Sequence, residues 1–206
     1  MPSERLVVFV RAPRPGQVKT RLAQALGERA ACAAYRELVQ TVLGNLSALP
    51  DVELHYTPAD AAGEIQSWLR PGWSLHPQVP GDLGRRLQAA FQTIFQQGAQ
   101  RVVVVGSDCP AVTTQDVATA WAALDSADVV LGPACDGGYW LIGLRQAQPA
   151  LFERVPWGTP AVFQETLERA RGAKLTITRL RKLSDVDTLA DWEAFLNGEF
   201  PGNPSG

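Results

Sequence analysis

The chain has 206 residues, of which 46% are hydrophobic and 19% are charged, and its formal net charge at pH 7 is -2. This length suits one globular domain with one core and requires no second domain. A nearly neutral chain lacks the general positive field of proteins that bind duplex nucleic acid, so we expect no nucleic-acid partner and only local phosphate binding.

Short apolar runs alternate with longer segments of helical periodicity, which predicts an α/β fold with a largely parallel sheet. Strands are predicted at Leu6–Val10, Val52–Tyr56, Trp73–Leu75, Arg101–Val105, Val129–Leu131, Tyr139–Leu144 and Lys174–Leu180. Helices are predicted from near Lys19 and at Glu28–Leu49, Glu64–Leu69, Arg85–Gln97, Pro160–Arg171 and Leu189–Leu196, and a further helix that ends at Leu124 is predicted to be capped by Thr113 or Thr114. Residues 1–198 are expected to form the single domain, and residues 199–206 have the composition of a flexible tail.

The loop after the first strand, RAPRPGQVKTRL, is rich in positive charge. Its four cations are Arg11, Arg14, Lys19 and Arg21, and they surround Pro13, Pro15 and Gly16. Glycine permits close backbone approach, and the following helix offers unpaired N–H groups, so the loop is predicted to bind a di- or triphosphate. A solvated basic loop is the alternative. The loop is neither a P-loop nor a Rossmann fingerprint, because it contains neither GK followed by Ser or Thr nor GxGxxG.

Carboxylates follow two of the predicted strands. Asp108 stands directly after the valine-rich strand in VVVVGSDCP, and Asp185 and Asp187 lie in SDVDT, where alternation would direct both to one side. Ligands of open α/β sheets bind beyond the carboxyl ends of the strands, and Mg²⁺ prefers oxygen ligands. The pattern predicts a metal site, although Asp108 could instead cap a turn and Asp187 or Thr188 could cap the last helix.

Two further segments contain residues that could line a ligand-binding site. In GPACDGGYW, Asp136 supplies a carboxylate, and Gly137 and Gly138 allow a tight turn or close approach to a ligand. In WGT, Trp157 is either a stacking wall or a core anchor. No histidine lies in any of these segments, which disfavours covalent serine or cysteine hydrolysis.

The three cysteines, Cys32, Cys109 and Cys135, form no CxxC pair, so neither a disulfide framework nor a zinc site is expected. The first apolar run is far shorter than the roughly 20 residues that span a bilayer. It also lacks the basic lead and the cleavage site of a signal peptide. We therefore expect a cytoplasmic protein with no membrane span.

Five segments in order, RAPRPGQVKTRL, VGSDCP, GPACDGGYWLIGL, VPWGT and LSDVDTLADW, resemble the bacterial DUF2064 family of GT-A-type glycosyltransferase-like proteins. The resemblance spans nearly the whole chain. It implies a three-layer α/β/α fold of the nucleotide-diphospho-sugar transferase type, with a mostly parallel mixed sheet. It also implies kinship in fold with the molybdenum-cofactor and phospholactate guanylyltransferases.

The resemblance implies a role for each segment. Phosphates would be bound by Arg11, Pro15, Gly16, Lys19 and Arg21, the base near Gln78 and Gly84, and the acceptor by Asp136, Gly137, Gly138 and Trp157. Asp108, Asp185 and Asp187 would hold Mg²⁺ or Mn²⁺, with Lys19, Arg21 and Asp108 as catalytic residues. The chain departs from the family in two ways: Arg11 replaces the usual lysine, and GSDCP offers a single aspartate instead of DxD.

The resulting hypothesis is a metal-dependent transferase that takes a nucleoside triphosphate or a nucleotide sugar and a small-molecule acceptor. Attack by a phosphate on the α-phosphorus would make it a nucleotidyltransferase, and attack by a hydroxyl on an anomeric carbon would make it a glycosyltransferase. The residues do not choose between these reactions. A nucleotide-binding or sensing protein without turnover is the alternative on the same fold.

Overall fold

The computed structural model describes residues 3–199, and within them seven strands form one sheet in the order β3-β2-β1-β4-β6-β5-β7. The strands are β1 (Glu4–Arg11), β2 (Val52–Thr57), β3 (Ser74–Pro77), β4 (Arg101–Gly106), β5 (Val129–Pro133), β6 (Tyr139–Leu144) and β7 (Ile177–Arg179). The helices are α1 (Thr20–Leu26), α2 (Glu28–Asn45), α3 (Ala62–Ile65), α4 (Leu83–Gln96), α5 (Thr114–Ala123), α6 (Val162–Gly172) and α7 (Leu189–Leu196). The α/β fold is thereby confirmed.

The sheet is mixed, as predicted, because β6 runs antiparallel to both of its neighbours while the other pairings are parallel. The register pairs Val105 of β4 with Leu141 of β6. Tyr139, the first residue of β6, therefore lies beyond Val105 at the edge where β1 and β4 end. The antiparallel strand thus brings the Asp-Gly-Gly turn to the same edge as Asp108.

Alternation along β1 produces the two outer layers. Leu6, Val8 and Val10 pack in a core cluster with residues of α2 and α5, whereas Val7 packs in a second cluster with residues of α4 and α6. All four side chains are buried. Because successive strand residues point to opposite faces, an uninterrupted apolar strand needs helices on both sides, which gives the three layers.

Side-chain caps fix where three helices begin. The Asp82 carboxylate accepts the Arg85 N–H at 2.9 Å, so α4 begins at Leu83, two residues before the predicted start. Thr113 and Thr188 begin α5 and α7, each in a reciprocal capping box with the acidic residue three positions later. Thr188, not Asp187, therefore caps the last helix.

Other boundaries differ where turns replace regular structure. Helix α2 ends at Asn45 and not Leu49, because Ser47 N–H bonds to the Gly44 carbonyl at 3.1 Å and tightens the chain into a turn. The predicted strand at 174–180 is regular only over β7, and the predicted helix at 64–69 divides between α3 and a short 3₁₀ segment at Gln66–Trp68. Residues 200–206 of the predicted tail lie outside the described residues. No helix in the described part of the chain is long and apolar enough to cross a membrane.

Candidate functional site

A cleft of about 920 Å³ opens at the carboxyl ends of β1 and β4 and the start of β6. Most of the site residues predicted from the sequence line it, although they come from segments far apart in the chain. They are Arg11, Lys19, Arg21, Gln78, Asp108, Asp136, Gly138, Trp157, Asp185 and Asp187. The fold therefore gathers the basic loop, the strand-end carboxylates and the aromatic wall around one space.

Four predicted residues, Pro15, Gly16, Gly84 and Gly137, do not line this cleft. Gly84 is buried against Trp157, where an added Cβ would lie 2.5 Å from the indole Nε1. Gly137 has φ 90° and leaves no room for a Cβ beside the Pro160 backbone. These two glycines allow the close packing that shapes the cleft walls.

Lys19 is the most enclosed charge of the site. Its ammonium contacts the carboxylate of Asp108 and lies 3.0 Å from Oδ1 of Asp187, and only 4% of its side chain is exposed. Burial alone would lower the pKa of Lys19, but the two carboxylates outweigh burial and raise it. Lys19 thus remains charged at any physiological pH, and it lies between two of the predicted metal ligands.

The remaining cations of the loop have different environments. Arg21 is 70% exposed, lines the cleft and lies 3.7 Å from Asp187. Arg14 points elsewhere, because its guanidinium bonds to Glu64 at 2.6 Å and to Asp60 at 3.3 Å. Of the four loop cations, Arg11, Lys19 and Arg21 face the cleft, whereas Arg14 is neutralised by the protein's own carboxylates.

The extended segment after β7 places both of its aspartates in the cleft. Val186 is fully buried, its N–H bonds to the Asp108 carbonyl at 3.0 Å, and Asp185 and Asp187 line the cleft on either side of it in sequence. Alternation thus continues here although no regular strand reaches this point. Burial, with the nearby carboxylates of Asp136 and Asp187, raises the pKa of Asp185 to about 6.

A hydroxyl pair anchors the two central strand ends to helix α2. The Tyr35 hydroxyl accepts the Arg11 N–H at 2.8 Å and lies 3.3 Å from the Ser107 hydroxyl. Burial, reinforced by the Asp108 carboxylate, raises the pKa of Tyr35 to about 12, so the phenol stays protonated. Tyr35 thereby holds Arg11 and the residue before Asp108 at fixed positions relative to each other.

Several residues that line the cleft are not predicted as site residues by the sequence, among them Tyr35, Ser107, Arg86 and Tyr139. Arg86 lies on α4, and its Nη1 donates to the Gln78 side-chain oxygen at 3.2 Å. Tyr139 begins β6 and meets Trp157 edge to face, with ring centroids 6.4 Å apart. The sequence pattern predicts only a helix around Arg86 and a strand at Tyr139. The signal for Arg86 is its place two residues after QVPGDLG, but a helical arginine is more often a surface residue.

The DUF2064 family model, described as "Uncharacterized protein conserved in bacteria", matches residues 38–159. A solved structure from Desulfovibrio desulfuricans G20, named "putative nucleotide-diphospho-sugar transferase", is 39% identical to this chain. That match covers 91% of this chain and 84% of the other, with a TM-score of 0.85. The chain belongs to the DUF2064 family.

More distant structures share the fold of this DUF2064 protein. The 4-diphosphocytidyl-2C-methyl-D-erythritol synthase of Anaerococcus prevotii DSM 20548 is 10% identical, covers 95% of this chain and 96% of its own, and has a TM-score of 0.63. Rv0371c of Mycobacterium tuberculosis H37Rv, solved in complex with manganese, is 16% identical over 95% of this chain and 98% of its own, with a TM-score of 0.52. No curated protein matches the sequence.

The donor set of the DUF2064 cleft suits a hard divalent cation. Asp108 and Asp187 lie close together because each contacts the Lys19 ammonium through its Oδ1 atom, so a metal ion would bind beside that ammonium. Within residues 3–199, no group of three or more His, Cys, Asp or Glu side chains is arranged to hold a metal. The protein would therefore supply two carboxylates and leave the other positions to water and ligand phosphates, as Mg²⁺ sites commonly do.

Proposed function

We propose that this protein is a divalent-metal-dependent transferase that acts on a nucleotide-activated donor, with residues 1–198 as its single nucleotide-binding domain. The observation that supports this most is the convergence of the Lys19 ammonium with Asp108 and Asp187 at the carboxyl edge of the sheet. Charges of both signs, enclosed in one cleft, suit a ligand that combines phosphates with a metal ion.

The basic residues that face the cleft are assigned to the donor phosphates. Lys19 offers a fixed and permanently charged ammonium, and Arg11 and Arg21 offer guanidinium groups that are free to adjust to a ligand. Gln78 lies further along the same edge and is assigned to the nucleotide base. Its amide is already oriented, because Nε2 donates to the His55 carbonyl at 2.6 Å.

The acidic residues are assigned to the metal ion and to the acceptor side. A divalent cation held by Asp108 and Asp187, with Asp185 nearby, would neutralise phosphate charge at the reacting centre. Asp136 is oriented by the Gly138 N–H, which donates to its Oδ1 at 2.7 Å. Together with Gly138 and Trp157, Asp136 forms the wall where an acceptor would lie.

With this arrangement the protein contributes positioning and electrostatics. Lys19 would stabilise negative charge on the departing phosphate oxygens, and the cleft walls would keep the acceptor aligned for in-line attack. A pyrophosphate leaving group would make the enzyme a nucleotidyltransferase, and a nucleoside diphosphate leaving group would make it a glycosyltransferase. Asp185 lines the cleft near Asp136 of the acceptor wall, and its pKa of about 6 would suit it to accept a proton from a bound acceptor.

The proposal is tested by thermal stabilisation of the purified protein with a panel of nucleoside triphosphates and nucleotide sugars, each with and without Mg²⁺ or Mn²⁺. We expect at least one nucleotide to raise the melting temperature, and to raise it further with the metal. The preferred donor separates the two reactions, since a triphosphate indicates nucleotidyl transfer and a nucleotide sugar indicates glycosyl transfer.

Two variants complete the test. Asp108→Ala should abolish the metal-dependent part of the shift, whereas Asp60→Ala, an exposed acidic residue outside the cleft, should leave it unchanged. A nucleotide-binding protein without turnover would show the same shifts but would release no pyrophosphate or nucleoside diphosphate in the presence of candidate acceptors. The absence of any shift from any nucleotide would contradict the proposal.

A further inference from the structure

Arg86 enters the cleft from α4, on the opposite side of the sheet from the helix that supports the basic loop. Its guanidinium is held in place by two acceptors. Nε donates to the Gly81 carbonyl at 3.0 Å, and Nη1 donates to Gln78 Oε1 at 3.2 Å. Within residues 3–199, no protein acceptor engages Nη2, so this end of the guanidinium is available to a ligand.

Arg11 faces the same part of the cleft from the end of β1. The hydrogen bond of its side chain is a long one, from Nη1 to the Gln17 carbonyl at 3.4 Å. Burial and the positive charge of Arg11 together lower the pKa of Arg86, although an arginine still remains charged near neutral pH. The two guanidinium groups are therefore close enough to repel each other.

No carboxylate in the described part of the chain is placed to relieve this repulsion by an ion pair. Neither arginine has an Asp or Glu oxygen within ion-pair distance in that part of the chain. Arg14 and Arg181, by contrast, lie 2.6 and 2.7 Å from Glu64 and Asp116. Asp82, the acidic residue that most affects Arg86, has its carboxylate engaged in capping α4.

We propose that Arg86 and Arg11 form a second anion-binding subsite, which takes a phosphate or carboxylate group of a ligand. A guanidinium suits this role because two of its N–H groups can bind two oxygens of one planar or tetrahedral anion, and in Arg86 the Nη2 group and the second hydrogen of Nη1 remain for such a contact. The hydrogen bonds to Gly81 and Gln78 fix the orientation of the Arg86 guanidinium before a ligand binds. Less side-chain conformational entropy is therefore lost on binding.

The subsite is separate from the centre formed by Lys19, Asp108 and Asp187. Arg86 is joined through Gln78 to the end of β2, Arg11 ends β1, and Asp108 follows β4. These strands are consecutive in the sheet, and adjacent strands lie about 4.8 Å apart, so the subsite is offset towards β2 by up to roughly 10 Å. A ligand with two anionic groups could therefore contact both places at once.

The proposal rests on the proposed function only for the assignment of Arg11 to phosphate, and its test uses a simpler probe. Binding of sodium pyrophosphate, without any divalent metal ion, is measured by calorimetry for the wild type and for Arg86→Gln, Arg86→Lys and Arg85→Gln. Arg85 is the matched control, because it is the adjacent arginine of α4 and is exposed outside the cleft.

We expect Arg86→Gln to weaken pyrophosphate binding about tenfold, as the loss of one charge-assisted hydrogen-bonding group implies. Arg86→Lys should recover part of the affinity, and Arg85→Gln should stay within about twofold of the wild type. Arg86→Gln should also reduce the salt dependence of the binding constant, which a purely structural loosening of the Gln78 loop would not change. Equal affinities for Arg86→Gln and Arg85→Gln would overturn the proposal.

A second pair of titrations identifies the source of the anion. If it is a donor phosphate, Arg86→Gln will weaken binding of the stabilising nucleotide but not of its nucleoside. If it belongs to the acceptor, nucleotide binding will be unchanged, and pyrophosphate binding to the nucleotide-saturated protein will weaken. Both results support the subsite. Should Arg86→Gln bind every probe like the wild type while Asp108→Ala still loses the metal-dependent shift, the subsite fails and the proposed function stands.

Discussion

The two ends of the loop between β1 and α1 each carry a cation, but the two cations lie in different environments. At the outer end (residues 13–16), Arg14 is neutralised by Glu64 and Asp60 on the surface. At the inner end (residues 17–21, which include the first two residues of α1), Lys19 is enclosed between Asp108 and Asp187 beside the cleft. Both cations are paired with two carboxylates, so they differ in position: only Lys19 lies beside the cleft, where a ligand would meet it.

Lys19→Met is the change that should separate the two ends most clearly. It keeps an unbranched side chain, one atom shorter than lysine, but leaves Asp108 and Asp187 with only the exposed Arg21, 3.7 Å from Asp187, as a cationic neighbour. We expect the Kd of the stabilising nucleotide to rise on the order of 10²-fold, because a buried and hydrogen-bonded charge is lost from the phosphate site. Titration calorimetry in the presence of Mg²⁺ measures this effect. Nucleotide affinity within threefold of the wild type would mean that Lys19 only neutralises the aspartates.

Arg21→Gln tests whether the enclosed part of the site includes Arg21 as well as Lys19. Arg21 lies 3.7 Å from Asp187 and is 70% exposed, so water and salt screen its charge. We expect the nucleotide Kd to rise only about two- to fivefold, as for an exposed ion pair. The same calorimetric titration at low and high salt provides the check, since the effect should shrink as salt increases. An effect as large as that of Lys19→Met would place Arg21 in the enclosed part of the site.

Asp185, which lines the cleft beside the inner end of the loop, gives the folded protein a pH dependence of its own. Its pKa of about 6 is higher than the value of about 4 for an unfolded aspartate. The folded chain therefore keeps this proton to higher pH, so the free energy of unfolding falls as the pH rises from about 4 to about 6. Asp185→Asn removes this loss and should be more stable than the wild type by about 1 kcal/mol at pH 7.5, after allowance for solvent screening.

Urea unfolding of both proteins at pH 3.5 and pH 7.5, without divalent metal ions, measures this difference. The two proteins should be equally stable at the lower pH, where Asp185 is protonated in both the folded and the unfolded chain. A constant difference at both pH values would show that Asn packs better than Asp, and that the carboxylate charge has no part in the effect.

Local sequence patterns were sufficient to predict the α/β fold and many of the residues that line the cleft. The valines of β4 predicted a strand buried on both faces, and the position of Asp108 after it predicted the edge at which ligands bind. The alternation of Asp185, Val186 and Asp187 predicted their directions even where no regular strand forms. In each case the direction of the side chain depends on residues next to it in the sequence, so it can be predicted from the sequence of one chain.

Pairings between distant segments could not be predicted in this way. Asp187 is 168 residues from Lys19, and Glu64 is 50 residues from Arg14. Which of these acids meets which base depends on the strand order, and the strand order is a property of the whole sheet. Arg86 shows the same limit, because helical periodicity places it on α4 but does not indicate that α4 turns this residue towards the end of β1.

Arg14→Met should have the smallest effect, and it tests the outer end directly. Arg14 forms partly exposed ion pairs, does not line the cleft, and is compensated by Glu64 and Asp60 without any ligand. We expect the nucleotide Kd to stay within about twofold of the wild type, because exposed ion pairs contribute little and this one has no contact with the site. Parallel titrations of Arg14→Met and Lys19→Met under identical conditions make the comparison. If Arg14→Met instead weakened nucleotide binding tenfold, the outer end would have to move towards the ligand on binding, and the division of the loop into two ends would hold only for the ligand-free protein.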